Sequence, residues 1–132
     1  NEDFGRLKPA LWAGYTAGVG KMFGDTRVGI LVVAYNAQST LAATLDRIPA
    51  EVAAEVESVI VCDDARLDDT HETALAYQRS HDKLPMRVVR HPVNLGYGGN
   101  QKAGYQLAAE MGLEVVVLLH GDGFLQVNNA II

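Results

Sequence analysis

The sequence predicts an α/β fold with a mostly parallel sheet covered by helices on both faces. Four short apolar runs, rich in valine, isoleucine and leucine, alternate with segments whose apolar residues recur at helical spacing. Strands that are apolar throughout are typical of parallel sheets buried on both faces. Each run also ends in polar or glycine-rich residues, which is where open parallel sheets bind their ligands.

Length and composition agree with one soluble domain. The chain has 132 residues, of which 48% are hydrophobic and 20% are charged, as in ordinary folded domains. Eleven basic residues against sixteen acidic ones give a net charge of −5. This charge argues against nucleic acid as a partner, because nonspecific binding to phosphates needs a basic surface.

The chain shows no sign of a transmembrane or secreted protein. Its apolar runs are far shorter than the roughly 20 residues that span a bilayer, and no secretory signal is visible. Cys62 is the single cysteine, so no internal disulfide forms, which favours a reducing compartment. We expect a cytoplasmic protein, which could act at the cytoplasmic face of a membrane.

Residues 1–26 are predicted to be a helical extension that precedes the main domain, residues 27–132. Pro9 suits a first helical turn, and three glycines weaken the helix. The apolar residues at roughly helical spacing are Leu11, Trp12, Tyr15, Val19, Met22 and Phe23. They predict packing against the core or at an interface, with contact to a membrane surface or a partner as the alternative.

The first two strands are each followed by a predicted helix. The first strand, "VGILVVAYN", leads into a helix over 39–48 that Ser39 could cap. The second strand, "SVIVCDD", leads into a helix whose start has Asp69 and Glu72 at the spacing of a capping box.

The third and fourth strands complete the pattern. "MRVVRH" is followed by the glycine-rich "NLGYGGN" and by a helix that Gly112 is placed to end. "EVVVLLH" is the fourth strand. Because the carboxyl ends of parallel strands meet at one edge, the polar residues that follow each strand are expected to collect there. These residues are Tyr35, Asn36, Asp63, Asp64, His91, Asn94, His120 and Asp122.

Several of these residues have both a binding and a structural interpretation. Asp63 and Asp64 fit ligand contact and a structural turn equally well. The glycines of "NLGYGGN" could let a phosphate approach the backbone, with Lys102 as a counter-charge, or could form a tight turn. Asp122 lies between two glycines and suits a magnesium ion, but also suits a turn.

Most histidines and tyrosines are expected to be structural. His71, His81 and His91 have no partners at metal-binding spacing, so surface or helix-capping positions are expected for them. Packing is the expected role for Tyr35, Tyr97 and Tyr105.

Four segments in the right order resemble a known family. "ILVVAYN", "VIVCDDARLDDT", "NLGYGGNQKAGY" and "VVVLLHGDG" occur over residues 28–123. Together they resemble the nucleotide-binding half of family 2 glycosyltransferases, which have the Rossmann-like GT-A fold. The likeness is strongest to the branch with dolichyl-phosphate mannose synthase and bacterial polyprenyl-phosphate glycosyltransferases. It implies an inverting enzyme that transfers a sugar from a UDP- or GDP-sugar to an acceptor such as a polyprenyl phosphate.

The resemblance also implies roles for individual residues. Asp64 matches the aspartate that contacts the donor's base, with Asp63 beside it. Asp122 matches the second aspartate of the Asp-X-Asp motif, which holds Mg²⁺ or Mn²⁺, and His120 occupies the position of the first. The other implied substrate-binding residues are Ala34, Tyr35, Asn36, Asn94, Gly96, Gly99, Lys102 and Gly121.

The chain departs from the family at three places. His120 replaces a carboxylate, Gln101 stands where many relatives have an arginine, and residues 124–132 read "FLQVNNAII" instead of the usual continuation. Nothing matches the family's catalytic base, which is expected beyond this chain. Because the chain also begins without methionine, we expect a truncated part of a longer protein.

Three functions remain open at this stage. The leading one is the donor-binding part of a glycosyltransferase. The second is a catalytically incomplete module for nucleotide-sugar binding or assembly, which could form a homo-oligomer through the N-terminal extension or the apolar tail. The third is a dinucleotide-dependent oxidoreductase, which the weak glycine pattern at residues 94–104 suggests.

Overall fold

The computed structural model describes residues 23–64, 69–121 and 130–131. Most of the predicted N-terminal extension, Asp122 and most of the tail lie outside these ranges. The elements in chain order are β1 (Val28–Ala34), α1 (Leu41–Asp46), α2 (Ala50–Ala53), β2 (Ser58–Asp63), α3 (Thr70–Ser80), β3 (Met86–Arg90), α4 (Gly96–Glu110), β4 (Val115–His120) and β5 (Ala130–Ile131).

The described strands form one sheet in the order β3-β2-β1-β4-β5. The first four strands are parallel, and β5 pairs antiparallel with the start of β4. The predicted α/β fold with a mostly parallel sheet is therefore confirmed. Successive strands extend the sheet to one side from β1 to β3, and β4 then lies on the other side of β1. The gap between the carboxyl ends of β1 and β4 is thus the topological switch point, where ligands of such sheets bind.

The core lies on both faces of the sheet because neighbouring strand residues point to opposite faces. Ile30 and Val32 of β1 face the side covered by α1, α2 and α3. Leu31 and Val33 face the side covered by α4. All four are at most 7% exposed, so the prediction of helices on both faces is confirmed.

The first helix is shorter than predicted, and its cap differs. It begins at Leu41 with Thr40, not Ser39, at the N-cap position, and no side chain caps it. The Thr40 hydroxyl donates instead to the carbonyl of Gly121, with 2.8 Å between the oxygens. The Thr40 hydroxyl therefore makes a tertiary contact, whereas local sequence reasoning would expect the N-cap side chain to cap the helix. The short helix α2 was not predicted.

Local capping rules fail at the start of α3 and hold at the end of α4. Asp69 is at the N-cap of α3, but its side chain makes no capping hydrogen bond, so the predicted capping box does not form. Helix α4 begins at Gly96, inside the segment expected to be a loop. Gly112 ends it as predicted, with a left-handed φ of 82° and hydrogen bonds from residues 112 and 113 back into the last turn.

The segments that flank the domain have limited described structure. Residues 23–25 form a turn, and the Thr26 N–H donates to the Phe23 carbonyl at 3.1 Å. At the other end, β5 pairs with Val115 and Val116 of the same chain. This part of the apolar tail therefore occupies the sheet edge beside β4.

The buried thiol of Cys62 gives a first testable prediction. Cys62 is 1% exposed, and burial raises its pKa to about 12. Because thiolates are the reactive form, we expect iodoacetamide to modify the native protein far more slowly than the urea-unfolded protein. Equal rates, measured by mass spectrometry under both conditions, would contradict the buried position of β2.

Two glycines of α4 give a matched pair of stability predictions. A Cβ on Gly104 would lie 2.5 Å from the Leu31 Cδ1 atom, whereas a Cβ on Gly98 would meet nothing within 4 Å. Leu31 is fully buried, and overpacking of a core costs about 1–3 kcal/mol. We therefore expect Gly104→Ala to lower the melting temperature measured by calorimetry and Gly98→Ala to leave it unchanged or raise it. Equal effects would contradict this packing of α4 on β1.

Candidate functional site

A cleft of about 460 Å³ opens at the carboxyl edge of the sheet. It lies at the switch point between β1 and β4, and the end of β2 and the first turn of α4 also contribute. The residues that line it are Val33, Tyr35, Asp64, Asn94, Gly96, Tyr97, Asn100 and His120. The strand-end residues that the sequence predicted to collect at this edge are thus represented from all four predicted strands, by Tyr35, Asp64, Asn94 and His120.

Asp64 is the buried carboxylate of the cleft. It is 1% exposed, and its backbone N–H donates to the Ala34 carbonyl at 3.0 Å, which ties the end of β2 to β1. One carboxylate oxygen accepts a hydrogen bond from the Leu95 N–H at 2.7 Å. A carboxylate has acceptor sites for several donors, so Asp64 can still accept from a ligand.

The neighbouring Asp63 has a different environment. Successive side chains of a strand alternate between faces, and Asp63 lies on the face opposite Asp64. It is 1% exposed, and one of its oxygens is 3.7 Å from the Arg90 Nε atom. Of this acidic pair, Asp64 alone is a residue of the cleft wall.

The first turn of α4 borders the cleft. The Asn94 side chain accepts a hydrogen bond from the Gly96 N–H at 2.7 Å, and Asp64 accepts from Leu95. These two acceptors serve in place of an N-cap side chain, which α4 lacks. Gly96 has a φ of 76°, a conformation that glycine adopts without strain. The remaining N–H groups of the first turn give this part of the cleft a partial positive charge.

Two tyrosines were expected to pack, and the structure contradicts this expectation. Tyr35 is 50% exposed and Tyr97 is 54% exposed, and both line the cleft. They lie at the carboxyl edge of the sheet, Tyr35 directly after β1 and Tyr97 in the first turn of α4. Tyr105 does pack against the core on the α4 face, as predicted.

Tyr97 and His120 form a stacked pair across the cleft. Their ring centroids are 5.4 Å apart with an angle of 13° between the planes, and the tyrosine hydroxyl is 3.3 Å from the histidine Nε2. The pair joins the first turn of α4 to the end of β4. The His120 Nε2 therefore faces Tyr97 within the cleft.

The described residues supply one of the two predicted metal ligands. Among residues 23–64, 69–121 and 130–131, no three His, Cys, Asp or Glu side chains lie close enough to hold a metal ion. His120 is described, and Asp122 lies outside the described ranges. A metal at this position therefore stays a prediction.

Gly121, directly before Asp122, is firmly anchored. Its carbonyl accepts hydrogen bonds from the hydroxyls of Thr40 and Thr44, at 2.8 and 3.1 Å. Its N–H donates to the Val33 carbonyl at 2.9 Å. A Cβ here would lie 3.2 Å from the Ala34 Cβ atom, so the close approach to β1 accounts for a glycine at this position.

The other predicted substrate residues do not line the cleft. Ala34 is buried in the core. Asn36 is exposed next to Tyr35, with a left-handed φ of 51°. Lys102 is exposed and about 200° around α4 from the buried Asn100, so it lies on the helix side away from the sheet. Gly99 approaches the Leu95 side chain, where a Cβ would be 2.9 Å from the Leu95 Cβ.

Sequence reasoning placed His91 at this edge of the sheet but missed its burial and its contact with Asn100. His91 was expected at the surface or at a cap, but it is 9% exposed, and Asn100 is 2% exposed. The His91 Nε2 and the Asn100 Oδ1 are 2.7 Å apart. A signal was present, because Asn100 shares the buried stripe of α4 with Gly104 and Ala108 at intervals of four. A polar residue in such a stripe indicates a buried hydrogen-bond partner.

The fold and the cleft define the class of open α/β proteins that bind ligands at the switch point of a parallel sheet. The sequence profile described as "Glycosyl transferase family 2" matches residues 29–129, which is more than half of the chain. The chain therefore belongs to glycosyl transferase family 2. No curated protein matches it significantly.

Three solved structures illustrate the likeness of fold. A mannosyltransferase from Pyrobaculum calidifontis in complex with GDP-Man and Mn²⁺ is 22% identical with a TM-score of 0.63, over 90% of this chain and 34% of that protein. Glucosyl-3-phosphoglycerate synthase from Mycobacterium tuberculosis, with Mn²⁺, UDP and glucosyl-3-phosphoglycerate, is 24% identical with a TM-score of 0.61, over 82% and 38%. S. aureus TarS in complex with UDP is 22% identical with a TM-score of 0.54, over 74% and 28%.

These likenesses show the GT-A fold of this chain. The chain spans between 28% and 38% of the length of these three proteins. In the described part of the chain, no helix is long and apolar enough to cross a membrane.

Proposed function

We propose that this chain is the donor-binding part of an inverting glycosyltransferase and that the cleft binds a UDP- or GDP-sugar. The observation that carries the proposal is a buried carboxylate, Asp64, in a cleft at the switch point of a family 2 domain. In its support, the three solved structures hold UDP, or GDP-Man in the mannosyltransferase.

The chemistry of the cleft fits a nucleotide with two phosphates. Asp64 can accept a hydrogen bond from the N–H of a base, as the family resemblance implies. Tyr35 and Tyr97 present exposed rings and hydroxyls to the cleft. The first turn of α4 favours negative charge, because its N–H groups lack partners within the helix. Asp64 therefore matches the base, the tyrosine hydroxyls match the sugar, and the first turn of α4 matches the phosphates.

A divalent cation is part of the proposal. Asp122 and His120 would hold Mg²⁺ or Mn²⁺, and the cation would offset the charge of the donor diphosphate. The anchored carbonyl of Gly121 supports this assignment, because it fixes the backbone of β4 up to the residue before Asp122. The mannosyltransferase and the mycobacterial synthase were both solved with Mn²⁺.

For the acceptor we propose a polyprenyl or dolichyl phosphate. The support is the resemblance of the four sequence segments to the dolichyl-phosphate mannose synthase branch. The site of action would then be the cytoplasmic face of a membrane. Transfer of a radiolabelled sugar to polyprenyl phosphate, with a glycan acceptor in a parallel reaction, tests this choice, and exclusive transfer to the glycan would contradict it.

Calorimetric titration tests the donor site. We expect the 132-residue chain to bind UDP or GDP in Mn²⁺ more tightly than in EDTA, and to bind NAD more weakly than either. Selective binding of NAD would favour the oxidoreductase hypothesis. A second assay, release of the nucleotide from a donor sugar, separates an enzyme from a module that only binds.

A further inference from the structure

We infer that His91 is a positioning residue for the donor site and acts through Asn100 to hold one wall of the cleft. This wall consists of residues 92–98, which we call the cleft-wall segment. It contributes Asn94, Gly96 and Tyr97 to the cleft. His91 itself is not a cleft residue. The inference rests on the proposed function only in that the cleft binds a nucleotide.

Packing alone cannot place the cleft-wall segment. All of its residues are exposed, including Val93 at 61% and Leu95 at 42%. Little apolar surface is therefore buried to hold it. Its position depends on polar contacts at its two ends and at its middle, where the Leu95 N–H donates to Asp64.

His91 and Asn100 provide the contacts at the two ends. The His91 N–H donates to the Asp63 carbonyl at 3.1 Å, which extends the pairing of β3 with β2. The Asn100 Nδ2 donates to the Cys62 carbonyl at 3.1 Å. The 2.7 Å contact between the two side chains then joins the end of β3 to α4. Both ends of the segment are thus tied to each other and to β2.

The hydrogen-bond chemistry fixes the direction of this contact. The Cys62 carbonyl only accepts, so the Asn100 group facing it is the NH₂ group and the group facing His91 is the amide oxygen. The His91 Nε2 must therefore carry a proton and donate it. If the donor is removed, a buried oxygen of Asn100 loses its partner, which is unfavourable. The structure can respond by shifting the first turns of α4, and with them the cleft wall.

Two variants of His91 test the inference. His91→Phe keeps a ring but removes the donor, and His91→Gln keeps an N–H donor on a longer chain. By calorimetry with UDP or GDP and Mn²⁺, we expect His91→Phe to bind about tenfold more weakly than the wild type and His91→Gln to regain most of the affinity, since one lost hydrogen bond to a buried group is of this size. Equal affinity of His91→Phe and the wild type would overturn the inference.

Hydrogen exchange of the ligand-free proteins separates this inference from the proposed function. In His91→Phe we expect faster exchange in peptides that cover residues 91–100 and unchanged exchange in β1 and β4. If the wild type binds no nucleotide, the proposed function fails, and the exchange result still decides whether His91 holds the wall. Unchanged exchange over 91–100 would overturn the inference.

A nitrogen-15 NMR spectrum of the wild type covers the case in which His91→Phe does not fold. We expect a slowly exchanging proton on the His91 Nε2. A ring protonated only on Nδ1 would overturn the inference.

Discussion

Replacing Asp64 by alanine is expected to weaken nucleotide binding by about a hundredfold, or about 2.7 kcal/mol. The variant loses a buried acceptor in the cleft, and it also leaves the Leu95 N–H without the carboxylate that holds it at 2.7 Å. Hydrogen bonds to charged groups are worth more than neutral ones. Calorimetric titration with UDP or GDP in Mn²⁺ measures the change.

A second variant and a control separate the loss of the acceptor in the cleft from the loss of the hydrogen bond to the Leu95 N–H. Asp64→Asn keeps an oxygen for the Leu95 N–H but removes the charge, so we expect it to keep the melting temperature closer to the wild type than Asp64→Ala. Asp82→Ala changes an exposed aspartate in the turn after α3 and should bind as the wild type does. If Asp64→Ala binds as tightly as Asp82→Ala, the base contact assigned to Asp64 is wrong.

Replacing Asp122 by alanine is expected to abolish the benefit of Mn²⁺. The affinity of Asp122→Ala for UDP or GDP in Mn²⁺ should equal that of the wild type in EDTA, because the cation would no longer be held against the diphosphate. His120→Ala should have a smaller effect of the same kind, since it removes a neutral ligand instead of a charged one. Isothermal titration in both buffers measures each difference.

One outcome would contradict the assignment of Asp122 as a metal ligand. If Asp122→Ala keeps the full difference between Mn²⁺ and EDTA, the cation is held elsewhere. Asp82→Ala is again the control, because it removes one carboxylate from the chain without touching the cleft.

The four parallel strands, and the polar residues that follow each of them, could be predicted from the sequence. The runs at 28–34, 59–62 and 116–119 are buried on both faces, and this kind of burial leaves a clear mark in a sequence. The edge strand β3 was also identified, although its residues are only partly buried or exposed. The position of the cleft followed from the rule that ligands bind at the carboxyl edge of such sheets.

The contacts that shape the cleft could not be predicted from local patterns. Asp64 reaches Leu95, 31 residues away, and Thr40 reaches Gly121, 81 residues away. Helix-capping rules see only neighbours along the chain, so they placed the start of α1 incorrectly and predicted a capping box at Asp69 that does not form. The opposite environments of Asp63 and Asp64 were predictable in principle, because adjacent strand residues face opposite sides.

The central claim is that a nucleotide binds in the cleft between the ends of β1, β2 and β4 and the first turn of α4. A two-dimensional nitrogen-15 NMR titration of the chain with UDP and with GDP, in the presence of Mg²⁺, tests it most directly. We expect the largest shifts at the backbone amides of Tyr35, Asp64, Leu95, Tyr97 and His120. Shifts centred on the crevice between α1, α2 and α3, which is lined by Leu45, Ala53 and Tyr77, or no shifts with either nucleotide, would contradict the claim.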